Sequence, residues 1–121
     1  MGIYGPFLIV APLTTLNNWR KEINRFSPSI PCLIYHGPKD QLKKLRDKHF
    51  KTKGPSFPWI LTSYEVCLNN ATSLKKIDFK YMVVDEGHRL KNFECKLVKV
   101  LKSFKADNRL LLTGVCLGAL F

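Results

Sequence analysis

Tyr81-Met82-Val83-Val84-Asp85-Glu86-Gly87-His88 is the stretch that decides how this chain folds. Four apolar residues are too few for an amphipathic helix and read as a buried strand. Two acids, a glycine and a histidine follow at once, so charged groups begin where the strand ends. Similar short runs recur at Phe7-Leu8-Ile9-Val10, Cys32-Leu33-Ile34-Tyr35, Trp59-Ile60-Leu61 and Leu110-Leu111-Leu112. Amphipathic stretches lie between them. Leu16, Trp19, Ile23 and Phe26 recur at helical spacing, with Asn, Arg, Lys and Glu on the other side, and Leu97, Val98, Leu101 and Phe104 repeat the pattern. The mostly basic segment from Lys39 to Lys53, anchored by Leu42 and Leu45, predicts a more exposed helix stopped by Gly54-Pro55. From Ser63 to Lys76 the spacing predicts a helical turn near Tyr64-Glu65-Val66-Cys67, broken at Asn69-Asn70. Strands alternating with helices imply an α/β domain, a parallel sheet covered by helices on both faces. Ligands of such sheets gather beyond the carboxyl ends of the strands, which is where Asp85 and Glu86 fall.

The 121 residues fit one small domain, and 45% hydrophobic residues supply a core for it. Twenty Lys and Arg against nine Asp and Glu give a net charge of +11, which calls for an anionic partner. Nucleic acid is the first candidate, although loss of acidic segments from a larger protein would leave the same excess. Cys32, Cys67, Cys95 and Cys116 form no C-x-x-C pair and have no His at ligand spacing, so a zinc site or disulfide framework is not expected. They read as small buried apolar groups in a reducing compartment. Met1 to Pro6 shows no basic region before a long apolar run, and Pro6 stands where a myristoylation signal needs Ser or Thr. Asn70-Ala71-Thr72 reads as a chance sequon, and no apolar stretch has membrane-spanning length.

Two adjacent carboxylates at a strand end suit nucleotide hydrolysis. One can hold hydrated magnesium, a hard cation that prefers oxygen and keeps its waters, and the next can orient or deprotonate the attacking water. Asp85 suits the metal and Glu86 the water. The same tetrapeptide in isolation would also fit an acidic turn capping a strand.

It stands in a series. Leu8-Ile9-Val10-Ala11-Pro12-Leu13-Thr14-Thr15-Leu16-Asn17-Asn18-Trp19, then Leu61-Thr62-Ser63-Tyr64-Glu65, then Val83-Val84-Asp85-Glu86-Gly87-His88-Arg89-Leu90-Lys91-Asn92, then Leu110-Leu111-Leu112-Thr113-Gly114 resembles the ordered motifs of the first lobe of Swi/Snf-type chromatin-remodelling ATPases of helicase superfamily two. Tyr35-His36-Gly37 and Phe104-Lys105-Ala106-Asp107-Asn108-Arg109 resemble the lymphoid-specific helicase subgroup and its plant relatives. The resemblance implies a RecA-like helicase lobe over residues 5–114, with ATP and magnesium as cofactors in the complete protein, DNA and nucleosomes as partners, and a nuclear location. By the same resemblance, Pro12, Leu13, Thr14 and Thr15 match a block that contacts DNA phosphates, for which a helix start with hydroxyls and free N–H groups is physically suited. These residues could equally cap the helix that carries Trp19. Thr62, Ser63 and Tyr64 match a second backbone-contact block, with a strand end turning into a helix as the alternative. His88 matches the position linking the nucleotide and nucleic-acid sites, and Thr113-Gly114 the start of the coupling motif. Trp19 shares the spacing of Leu16, Ile23 and Phe26 and reads as core rather than as a base-stacking platform, while His36 and His49 read as surface residues.

The departures are equally specific. The family's lobe opens with a Gly-rich loop ending in Gly-Lys-Thr, whose N–H groups and Lys cradle the phosphates, and no Gly-Lys pair occurs in these 121 residues. Where the family continues Thr-Gly with Thr-Pro-Leu-Gln-Asn, this chain reads Val115-Cys116-Leu117-Gly118-Ala119-Leu120-Phe121, a divergent apolar tail in which only Leu117 keeps its place. The second lobe, which supplies arginine fingers in the family, has no counterpart here. The expectation is a partial lobe of an ATP-dependent DNA translocase, inactive alone, arising as a fragment, splice product or imperfect gene model. The alternatives are a non-catalytic short product that binds DNA or a partner, and an unrelated α/β binding domain whose acidic turn mimics the box.

Overall fold

The structure is a computed structural model in which residues 6–51, 57–85, 96 and 99–111 are described. Five strands, β1 (Phe7–Val10), β2 (Cys32–Ile34), β3 (Trp59–Thr62), β4 (Phe79–Val84) and β5 (Ala106–Leu111), form one sheet in the order β2-β3-β1-β4-β5. Every pairing is parallel. All four residues of β1 are buried, as a central strand with both faces covered requires. A parallel sheet needs crossovers, and the helices supply them: α1 (Leu16–Phe26), α2 (Lys39–His49), α3 (Tyr64–Asn69) and α4 (Ala71–Lys75), with residues 99–103 also helical.

Alternation along each strand divides the core in two. Leu8, Val10, Ile60, Met82 and Val84 point to one face, packed by Leu42 of α2, Val66 and Cys67 of α3, Leu74 of α4, Leu101 and Phe104. Ile9, Ala11 and Leu61 point to the other, packed by Leu16 and Ile23 of α1. Fully burying a residue such as Leu8 or Ile60 contributes about 1.5–3 kcal/mol, so this alternating set holds the sheet and its crossovers together.

The predicted helix beginning at Lys39 ends at His49. Phe50 turns inward to pack on Tyr35 at 5.2 Å and Phe57 at 6.4 Å between ring centroids, and this aromatic cluster fixes where the helix stops. Asp40 in the first turn and Arg46 and Lys48 in the last complement the helix dipole. Arg46 then donates to the Tyr35 hydroxyl at 2.7 Å and to Asn70 Oδ1 at 3.3 Å, tying α2 to the strand-2 exit and to the start of α4. The break expected at Asn69-Asn70 is where α3 gives way to α4.

Three apolar residues depart from the expected buried set, among them Tyr81 of β4 at 37% exposed. Phe26 is 74% exposed because it is the last residue of α1, where the chain leaves helical geometry at Ser27. Leu110 is 52% exposed because β5 lies at the end of the strand order, beyond the part of the sheet that α1 covers. Cys67 is fully buried, and burial raises its thiol from 9.0 to about 12. Cys32 is raised to about 11 by burial, with the Arg20 charge acting in the opposite direction. Cys95 and Cys116 lie outside the described residues.

Candidate functional site

In the parallel register Val10 lies beside Thr62 on one side and Val84 on the other, so β1, β3 and β4 end level with one another. The ladder extends one step past the strands: Ala11 N–H donates to the Thr62 carbonyl at 3.0 Å, and Asp85 N–H to the Val10 carbonyl at 2.8 Å. The segments that follow these three strands therefore emerge along one edge of the sheet. Asp85 stands on that edge beside the exit of the central strand β1, half-buried.

Two residues fix Asp85. The indole N–H of Trp19 donates to its Oδ2 at 2.9 Å across 66 positions of sequence, and the Tyr64 hydroxyl donates to its backbone carbonyl. Trp19 does pack against the buried Ile9, Leu16 and Ile23 group, as its spacing suggests. Its polar edge has a second task that helical spacing could not reveal, since the partner is a long-range neighbour.

Leu13–Thr15 forms a single 3-10 turn directly before α1. Thr15 gives both its N–H, at 2.9 Å, and its hydroxyl hydrogen, at 2.8 Å, to the Pro12 carbonyl, which locks the turn. Leu13 and Thr14 are left facing solvent. The second block is placed differently. Thr62, Ser63 and Tyr64 are all buried. Thr62 donates its hydroxyl hydrogen to the Tyr35 carbonyl at 3.0 Å, and Ser63 Oγ accepts the Val66 N–H at 3.3 Å as the cap of α3. With Tyr64 turned toward Asp85, the side chains of this block bond within the chain, as a strand end entering a helix would. Glu86, His88, Thr113 and Gly114 lie outside the described residues.

Among the described residues no group of three or more His, Cys, Asp or Glu side chains could hold a metal ion. Asp85 has its Oδ2 on Trp19, and Oδ1 accepts no hydrogen bond among the described residues. A single carboxylate oxygen does not make an all-protein cage, but it fits magnesium, which keeps several waters and takes its remaining ligands from phosphates.

The family profile of the SNF2-related domain matches residues 1–117. This chain belongs to the SNF2-related domain family. Its similarity extends to named members: 57% identity over 115 residues with the ATP-dependent DNA helicase DDM1 of Arabidopsis thaliana, and 46% over 115 residues with the lymphoid-specific helicase of Homo sapiens. Each alignment covers 93% of this chain but only 15% and 14% of the relative, so the chain spans a small part of these proteins' length. Among solved structures, the Sulfolobus solfataricus SWI2/SNF2 ATPase core in complex with dsDNA superimposes with a TM-score of 0.68 at 33% identity, over 93% of this chain and 22% of that one. The five-stranded parallel sheet of this SNF2-related chain is thus the fold of SWI2/SNF2 ATPase cores.

Proposed function

We propose that this chain acts as part of the first ATPase lobe of a nuclear, ATP-dependent DNA translocase that remodels nucleosomes. The observation that carries the reading is Asp85, held at the carboxyl end of β4 by Trp19 while the Leu13–Thr15 turn is presented at the end of β1. Carboxylate and turn thus sit on one edge of one rigid sheet. Asp85 would hold hydrated magnesium through its carboxylate, and Glu86 would orient the attacking water. Magnesium, when bound, supplies neutralisation of phosphoryl charge. Thr14 and the Leu13–Thr15 turn would meet DNA phosphates, with the chain's net positive charge giving affinity without base readout. His88, Thr113 and Gly114 would link the two sites.

Without a Gly-rich phosphate loop in its sequence, the chain alone is expected to bind ATP–magnesium weakly and not to turn it over. Two experiments test the reading. Duplex binding measured across a salt series should weaken steeply as salt rises and show no preference between scrambled sequences, whereas a flat response would count against phosphate contacts. Calorimetric titration with ATP–magnesium should give little heat. Tight binding, or hydrolysis above a Glu86→Gln control, would show that the chain is self-sufficient. Support for a DNA-acting role comes from the likeness to a core solved with dsDNA and to proteins named as helicases.

A further inference from the structure

Trp19 lies one helical turn beyond the Leu13–Thr15 turn, on a helix seated against the sheet by Leu16 and Ile23. Its indole N–H reaches Asp85 Oδ2 at 2.9 Å. An indole N–H can only donate, and its hydrogen bond to an ionised carboxylate is a strong, charge-assisted one. The Asp85 backbone is already fixed by the Tyr64 hydroxyl and by its own N–H on the Val10 carbonyl, so the remaining freedom is the carboxylate's orientation. Trp19 sets that orientation. Trp19 and the start of α1 belong to one 11-residue helix, so an anion contact at that start would act on the element that carries the indole.

We propose that Trp19 is a positioning residue that couples occupation of the Leu13–Thr15 turn by duplex DNA to the orientation of the Asp85 carboxylate. This rests on the DNA-contact reading above and adds the route by which that contact reaches the acidic box. The route is direct, through one helix and one hydrogen bond, and does not pass through His88 or Thr113-Gly114.

The chain contains its own control. It has two tryptophans, and Trp59 Nε1 is buried without a hydrogen-bond partner among the described residues, so the two indole N–H groups report different surroundings. The experiment records both indole signals by proton–nitrogen NMR of the full chain, assigned with Trp19→Phe and Trp59→Phe. Asp85→Asn should displace the Trp19 signal and leave Trp59 in place, which also shows that the fold persists. Asp85→Glu, which keeps the charge but moves the oxygens, should displace the same signal and serves if the first variant fails to fold. A duplex of arbitrary sequence should shift the Trp19 signal with the midpoint found by fluorescence anisotropy of the labelled DNA, and that shift should fall severalfold in the Asp85 variant.

DNA that binds by anisotropy while leaving the Trp19 signal unmoved overturns the coupling and spares the DNA reading. A Trp19 shift undiminished in the Asp85 variant means proximity to DNA and overturns the coupling as well. Failure of the chain to bind duplex overturns both, and it is the single outcome that reaches the functional reading.

Discussion

Tyr64, the first residue of α3, donates its hydroxyl hydrogen to the backbone carbonyl of Asp85, the first residue beyond β4. The end of the strand carrying the acidic box is thereby tied to the helix that follows β3, through a side chain 4% exposed. Tyr64→Phe keeps the ring and removes this bond. It should lower unfolding stability by about 0.5–1.5 kcal/mol, the net worth of one hydrogen bond. Urea denaturation with an unchanged slope would register that loss as a shift in midpoint.

The two threonines before α1 should behave differently. Thr14 faces solvent, so Thr14→Glu should weaken duplex binding severalfold by placing a negative charge against phosphate while leaving the melting temperature within a degree or two of wild type. Thr15 is bonded twice to the Pro12 carbonyl, and Thr15→Val should cost about 0.5–1.5 kcal/mol through loss of the hydroxyl bond. Equal binding by wild type and Thr14→Glu in anisotropy titrations would remove this turn from the DNA contact.

Cys67 links stability to alkaline pH. Burial holds its thiol protonated up to about 12, whereas in the unfolded chain it ionises near 9.0, so above pH 9 the unfolded state binds fewer protons than the folded one. Stability contributed by the neutral thiol is complete below pH 9 and is progressively lost as pH rises from there toward 12. Thermal unfolding at pH 8 and pH 10 should show a smaller fall for Cys67→Ala than for wild type. In the native state at pH 8, peptide mapping after thiol alkylation should find Cys32 modified well before Cys67.

The uncovered part of the sheet predicts self-association. Ile9, Trp19, Ile23, Phe26, Trp59 and Leu110 are among the residues lining an apolar groove of about 540 Å³ beside α1. Phe26 and Leu110 are its most exposed apolar members. Phe26→Ser with Leu110→Thr should reduce light scattering at matched concentration and salt, with a stability change of about 0.5 kcal/mol or less per site because neither side chain is buried. Scattering unchanged by both substitutions would locate the sticky surface elsewhere.

Much of the domain was legible from local pattern alone. Runs such as Phe7-Leu8-Ile9-Val10 and Tyr81-Met82-Val83-Val84 name strands because a residue buried on both faces of a sheet must be apolar whichever way it points. The break between α3 and α4 at Asn70 was equally visible, since Asn competes with the helix for backbone hydrogen bonds. Asp85 could be assigned to a strand end from its place in the sequence. What spacing could not supply was the strand order and whatever depends on it. Only the parallel register that sets Val10 between Thr62 and Val84 brings α1 and α3 to the same acidic residue. Trp19 read as core, where it packs, with no sign that its N–H holds a carboxylate 66 residues away, and spacing left Thr62, Ser63 and Tyr64 open between phosphate contact and a strand end entering a helix, where their side chains bond within the chain. The sequence determined which segments are strands and helices because periodicity is a property of neighbours along the chain. Tertiary structure decided which polar atoms meet, because hydrogen bonds across the sheet edge depend on distances that no local pattern encodes.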